Sequence, residues 1–82
     1  MHPDRVAELI RQGLPGAQVR VQSDDQTHFS ALIVSDDFAG KRPIARHQLV
    51  YRTLGELVGR DIHALQLDTL TTQEFAARQS GG

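Results

Sequence analysis

The sequence predicts an α+β domain in which three strands form a small mixed sheet and helices pack mainly on one of its faces. Three observations carry this expectation. Apolar residues recur at helical spacing in the first dozen positions and again beyond Pro43, they alternate with period two from Ala17, and the chain has only 82 residues. So short a chain can fill one hydrophobic core and not two, so a single domain over residues 1–82 is expected, with 79–82 as a flexible tail.

Pro3 to Gln12 reads as an amphipathic helix with Val6, Leu9 and Ile10 on one face; Gly13 and Pro15 stop it, and Leu14 folds back onto that face. Ala17, Val19 and Val21 then alternate with Gln18, Arg20 and Gln22, the pattern of a strand with one wet face. Ser23-Asp24-Asp25-Gln26 supplies the polar turn of a hairpin. His28 to Ser35 is more continuously apolar, as expected of a central strand covered on much of both faces.

Asp36 to Arg42 is a connection rich in turn formers, and Pro43 suits the first turn of a second helix. That helix is expected to run to about Val58, where Gly59 closes it. His47, Val50, Tyr51, Leu54, Leu57 and Val58 fall on one stripe, with Arg46, Arg52 and Glu56 toward solvent. Gly55 inside the helix costs about 1 kcal/mol relative to Ala, and close packing would account for it. Asp61 to Asp68 is the third strand, with His63, Leu65 and Leu67 on one face; strand, helix, strand implies a parallel pair with a right-handed crossover. Thr71-Thr72-Gln73-Glu74 is a capping box that starts a last helix, with Leu70 placed to staple onto Phe75.

Composition narrows the chemistry. Hydrophobic residues at 39% and charged residues at 23% are globular proportions, without the charge excess of disordered chains. Cysteine is absent, which excludes a disulfide framework and a thiolate metal site within the chain; small secreted domains usually need such staples, so a reducing, cytoplasmic setting is expected. The first residues lack the charged and apolar regions of a signal peptide, and no apolar run approaches the roughly 20 residues of a membrane span. Catalytic signatures are missing: there is no nucleophile elbow, no His-Glu-x-x-His and no phosphate-binding Gly-rich loop, and the Asp24-Asp25 and Asp36-Asp37 pairs are explained as turn residues.

With no cysteine, any metal chemistry here must use imidazole or borrow sulfur from elsewhere, and two of the four histidines, His63 and His28, stand at strand starts. Each opens a strand; if the two strands are adjacent and parallel, both rings emerge at the same edge of the sheet. A histidine on an apolar strand can equally be structural. His47 is expected at the core edge, hydrogen-bonded to backbone, and His2 in a disordered terminus. A net charge of −1 exerts no global pull on nucleic acid, so such binding would rest on the local concentration of Lys41, Arg42, Arg46 and Arg52. Gly40-Lys41 ahead of a helix N-terminus suits an anion, a phosphate or a carboxylate, such as DNA backbone or an acidic partner. The same cluster can also be a solvated face. Gly40-Lys41-Arg42-Pro43 lacks the second glycine of a Gly-x-x-Gly clamp, which disfavours single-strand binding in the KH manner.

Across nearly its whole length the sequence resembles the BolA-like family. The resemblance rests on Thr27-His28-Phe29, Val34-Ser35, Phe38-x-Gly40-Lys41, Arg46-His47-x-x-Val50-Tyr51, Ile62-His63-Ala64-Leu65 and Thr69-x-Thr71, and its length is similar to that of the shorter bacterial branch. It implies a fold akin to class II KH domains, in the order α-β-β-α-α-β-α, with an additional short helix around Asp36 to Gly40. It also implies a [2Fe–2S] cluster shared with a monothiol glutaredoxin and glutathione, the isolated chain being apo and either monomeric or paired with glutaredoxin. His63 would be the cluster-binding histidine. The family's second ligand comes from the loop between the first two strands, as Cys or His, and here His28 is the imidazole nearest that loop. Some members are described as DNA-binding transcriptional regulators of stress and morphology responses, a role that here would use Lys41, Arg42 and Arg46. The chain departs from the family at Thr72, where Pro is common, and at Phe75, where Trp is common.

Overall fold

The computed structural model describes residues 1–80, in the order α1 (Pro3–Gly13), β1 (Gln18–Gln22), β2 (His28–Val34), a 3₁₀ turn at Asp36–Phe38, α2 (Pro43–Leu54), a second 3₁₀ turn at Gly55–Leu57, β3 (Ala64–Leu70) and α3 (Thr72–Ser80). The sheet order is β1-β2-β3, with β2 central, antiparallel to β1 and parallel to β3. The short element at Asp36–Phe38 is the extra helix that the family resemblance implies and that hydropathy alone did not mark. Of the tail expected over 79–82, Gln79 and Ser80 are the last residues of α3, and Gly81 and Gly82 lie outside the described residues.

Alternation along the strands decides which face is dry. Val19, Phe29, Ala31 and Ile33 share one face and pack with Val6, Ile10 and Leu14 from the first helical segment and Val50 and Leu54 from α2. Leu14 does fold back, at 5% exposure. The opposite face carries Gln18, Arg20, Gln22, His28, Ser30, Ala64, Gln66 and Asp68, all exposed. β2 is therefore covered on both sides only toward its C-terminal end, where Val34 is buried and Leu32 half-buried, a narrower cover than its hydropathy predicted. α3 is tied to this second face by Arg78, which donates to Asp68 at 2.6 Å.

Four local expectations are corrected, each for a physical reason. α2 ends at Leu54, because Gly55 adopts φ 57°, ψ −130°, a conformation closed to residues with a Cβ; nothing lies within 4 Å of a Cβ built there, so backbone geometry and not close packing explains this glycine. Val58, beyond the helix end, leaves the buried stripe at 36% exposure, and Tyr51, within α2, is 39% exposed. β3 begins at Ala64 and not at Asp61: Ile62, fully buried, sits in a tight turn where its N–H donates to Leu57 O and its carbonyl accepts from Gly59 N–H. His2 is ordered, its Nδ1 accepting the Asp4 N–H as the N-cap of α1.

Arg46, expected toward solvent, is only 12% exposed and closes the fold at the C-terminal end of β2 and β3. Its guanidinium lies 5.9 Å from the centroid of the buried Phe38 ring, donates to Lys41 O and Thr69 O, and pairs with both Glu74 oxygens at 2.7 and 3.2 Å. Glu74 is also the acidic half of the anticipated capping box: its Oε1 accepts the Thr71 N–H at 2.8 Å, and its own N–H donates to Thr71 Oγ1 at 3.1 Å. One charge-assisted pair thus joins α2, the end of β3 and the start of α3.

The Arg46 guanidinium, followed by the Thr71 N–H, holds the Glu74 carboxyl down to about 2 from its usual 4.5. A depressed pKa stabilises the fold above the ordinary value and is lost as pH falls toward the folded one. The difference in urea midpoint between the parent and Glu74→Gln is expected to be full at neutral pH and to close between about pH 4.5 and pH 2; a difference constant over that range would refute the assignment. A second test concerns Gly13, the last residue of α1, where an added Cβ would overlap Thr53 Cγ2 and come within 2.8 Å of Thr53 Cβ. The Thr53 rotamer is set by its hydroxyl, which donates to Val50 O at 2.6 Å, so the helices themselves must part. Overpacking of this kind costs about 1–3 kcal/mol, against about 1 kcal/mol gained from helix propensity. Gly13→Ala should therefore lower stability in chemical denaturation, and a more stable variant would contradict the close approach.

Candidate metal-ligating edge

The parallel register aligns His28 with Ala64, so the segments that open β2 and β3 lie side by side. The His63 N–H donates to Thr27 O at 2.9 Å, which locks the residue before β3 to the residue before β2. Both histidines are exposed. His28 stands on the open face beside Ala64, while His63 occupies the bend just before β3, and its ring takes no hydrogen bond among the described residues. The two strands are adjacent and parallel, which is the condition on which the sequence argument rested.

A compact hydrogen-bonded turn holds His28. Asp25 Oδ1 accepts the N–H groups of Thr27 and His28 at 3.0 and 2.8 Å, and its Oδ2 lies 2.6 Å from His28 Nδ1. The Ser23 hydroxyl donates to His28 O at 2.6 Å and accepts the Gln26 N–H at 2.8 Å, while Gln26 itself takes a left-handed φ of 62°. The backbone N–H of His28, then that of Thr27, then the His28 ring hold the Asp25 carboxyl far below the usual carboxylate range. Hydropathy and turn propensity marked Asp25 only as a turn former; the i, i+3 spacing from Asp25 to His28 was the available signal of a side-chain pair.

Around this turn the open face forms a shallow cavity of about 430 Å³ lined by Ser23, Asp25, His28, Ser30, Ala64 and Gln66, and His63 stands outside it. No group of three or more potential metal ligands exists among the described residues. With cysteine absent, the imidazoles at this end of the sheet are those of His28 and His63. His47 is elsewhere: half-buried on α2, it lines a cavity of about 750 Å³ together with Leu65 and Leu67, and among the described residues its ring lacks the backbone bond expected of it.

The three cations singled out for an anion or nucleic-acid site differ in their surroundings. Lys41 and Arg42 are exposed just before α2, whereas Arg46 is occupied by Glu74, Lys41 O and Thr69 O. That leaves Lys41, Arg42 and the exposed Arg52 as the solvent-facing cations of the cluster. No helix among the described residues is long and apolar enough to cross a membrane.

Comparison with known proteins agrees with this architecture. A family model described as BolA-like protein matches residues 11–74. The DNA-binding transcriptional regulator BolA of Vibrio cholerae is 47% identical over 55 residues, which cover 67% of this chain and 52% of that protein. The protein of the same name from Escherichia coli is 39% identical over 59 residues, covering 72% and 56% respectively, so the chain spans about half the length of these curated relatives. A bolA protein homologue from Coxiella burnetii superposes with a TM-score of 0.83 at 34% identity, over 93% of this chain and 97% of that one. On sequence and on fold, the chain belongs to the BolA-like family.

Proposed function

We propose that this chain is a non-enzymatic iron–sulfur accessory protein that binds a monothiol glutaredoxin and contributes His63, with His28, to a shared [2Fe–2S] cluster. The observation that carries the reading is the bond from His63 N–H to Thr27 O, which fastens the two histidine-bearing segments together at an exposed end of the sheet. The donor set fits the group. Such a cluster takes four ligands, and imidazole replaces thiolate on one iron in Rieske-type centres. A chain without cysteine can supply that imidazole pair but not the thiolates, so a partner's cysteine and the glutathione thiol complete the set. Neutral imidazole is the ligating form, so protons compete with iron for these rings and shared binding is expected to weaken on acidification.

Anaerobic reconstitution of the mixture tests this. The absorption and circular dichroism of the mixture should differ from those of glutaredoxin with glutathione alone, and His63→Ala should abolish the difference. Because His63 is exposed and its ring takes no hydrogen bond among the described residues, that substitution should move stability by no more than about 0.5 kcal/mol. Identical spectra with and without this chain would refute the reading.

A second reading is favoured by the names of the Vibrio and Escherichia relatives: a DNA-binding regulator using the exposed Lys41, Arg42 and Arg52. Each phosphate neutralised contributes about 0.9 to the slope of log affinity against log salt. Lys41→Ala/Arg42→Ala should lower that slope by about 2 in a duplex-binding titration; an unchanged slope removes this surface from the reading.

A further inference from the structure

Two rings offered at one edge need not be equally prepared to bind, and the contacts of His28 distinguish it from His63. Asp25 Oδ2 stands 2.6 Å from His28 Nδ1, while Thr27 Oγ1 approaches the same nitrogen at 3.1 Å. An ionised carboxylate can only accept, so Nδ1 must carry the hydrogen, and in the neutral ring Nε2 is then the bare lone pair. Ligating histidines commonly donate their second ring nitrogen to a carboxylate, which sets the tautomer and ring orientation and raises the basicity of the ligating atom. The same Asp25 side chain grips the backbone: its other oxygen accepts the N–H groups of Thr27 and His28, so the carboxylate fixes the strand start and the ring together.

We infer that Asp25 is a positioning residue that holds His28 as the Nδ1–H tautomer and presents Nε2 outward as the chain's second, preorganised ligand. This rests on the reading of His28 as a ligand, but the tautomer itself is a property of the chain alone. His63, whose ring takes no hydrogen bond among the described residues, is the adaptable member of the pair.

Asp25→Asn separates orientation from folding. The Asn carbonyl can keep the two backbone bonds, which turns the amide NH₂ toward Nδ1. A donor in that place favours a bare Nδ1 and moves the hydrogen to Nε2, where it blocks ligation. Long-range ¹H–¹⁵N correlation spectra of the isolated chain, at a pH where the ring is neutral, read the two nitrogens directly. The parent is expected to show a protonated Nδ1 and a pyridine-type Nε2 at His28, and Asp25→Asn the reverse. Thr27→Val, which removes the other neighbour of Nδ1, should leave the parent pattern. An Nε2–H tautomer in the parent, or a reversal caused by Thr27→Val, would overturn the inference even if Asp25→Asn failed to fold.

In the reconstituted mixture with glutaredoxin and glutathione, Asp25→Asn should hold the cluster against a chelator about 10- to 100-fold less tightly than the parent. Equal retention would remove Asp25 from the ligand role. A parent mixture with no spectrum of its own would instead defeat the cluster reading, while the tautomer measurement would stand.

Discussion

The parallel pairing of β2 with β3 is the constraint on which the rest depends. Parallel strands start at the same end, and a register that aligns His28 with Ala64 leaves no freedom about what meets there: Thr27 and His28 on one strand, His63 and Ala64 on the other. A slip of one residue would exchange the faces of Leu65, Leu67 and Thr69 with those of Ala64, Gln66 and Asp68, turning polar groups into the core. The half-buried leucines and the buried Thr69 on the helix side therefore enforce the same register that brings the histidine segments together. Packing energy and site geometry are one requirement here.

Several of the residues that carry the family resemblance gather at the two ends of this strand pair. At the C-terminal end Phe38, Arg46, Thr69 and Thr71 meet through a single guanidinium and the Glu74 carboxylate. Those positions are explained by architecture: an arginine in the middle of α2 ties down the last strand and the last helix. At the N-terminal end His28, His63 and Ala64 are exposed beside the half-buried Thr27. Ile62 bridges the two roles, since its burial anchors the turn from which the exposed His63 projects. Burial accounts for the C-terminal cluster and leaves the exposed His28 and His63 without a packing role.

Much of this was readable in the sequence, and the exceptions have causes. Period-two alternation found β1, the capping box found α3, and strand-helix-strand order found the parallel pair, because each is a local pattern tied to backbone geometry. The end of α2 was misplaced because the apolar stripe continues past Gly55 in sequence while the backbone there takes a left-handed φ. The start of β3 was misplaced because Ile62 is as apolar as a strand residue yet packs from a turn. Arg46 was assigned to solvent because its partner lies 28 residues away, and composition registers a charge without showing what neutralises it. For the candidate edge, both histidines were identified from the sequence; the Asp25 carboxylate was not, since a turn-forming Asp and a ring-orienting one look alike until the hairpin closes.

The central claim is that two imidazoles of this chain complete a cluster that it cannot build alone. Pulsed electron paramagnetic resonance of the reduced complex tests it most directly, using the chain labelled with ¹⁵N-histidine and an unlabelled glutaredoxin. The account predicts two distinct ¹⁵N couplings of directly ligated imidazole, one absent in His63→Ala and the other in His28→Ala. A spectrum without ¹⁵N coupling from this chain would contradict it.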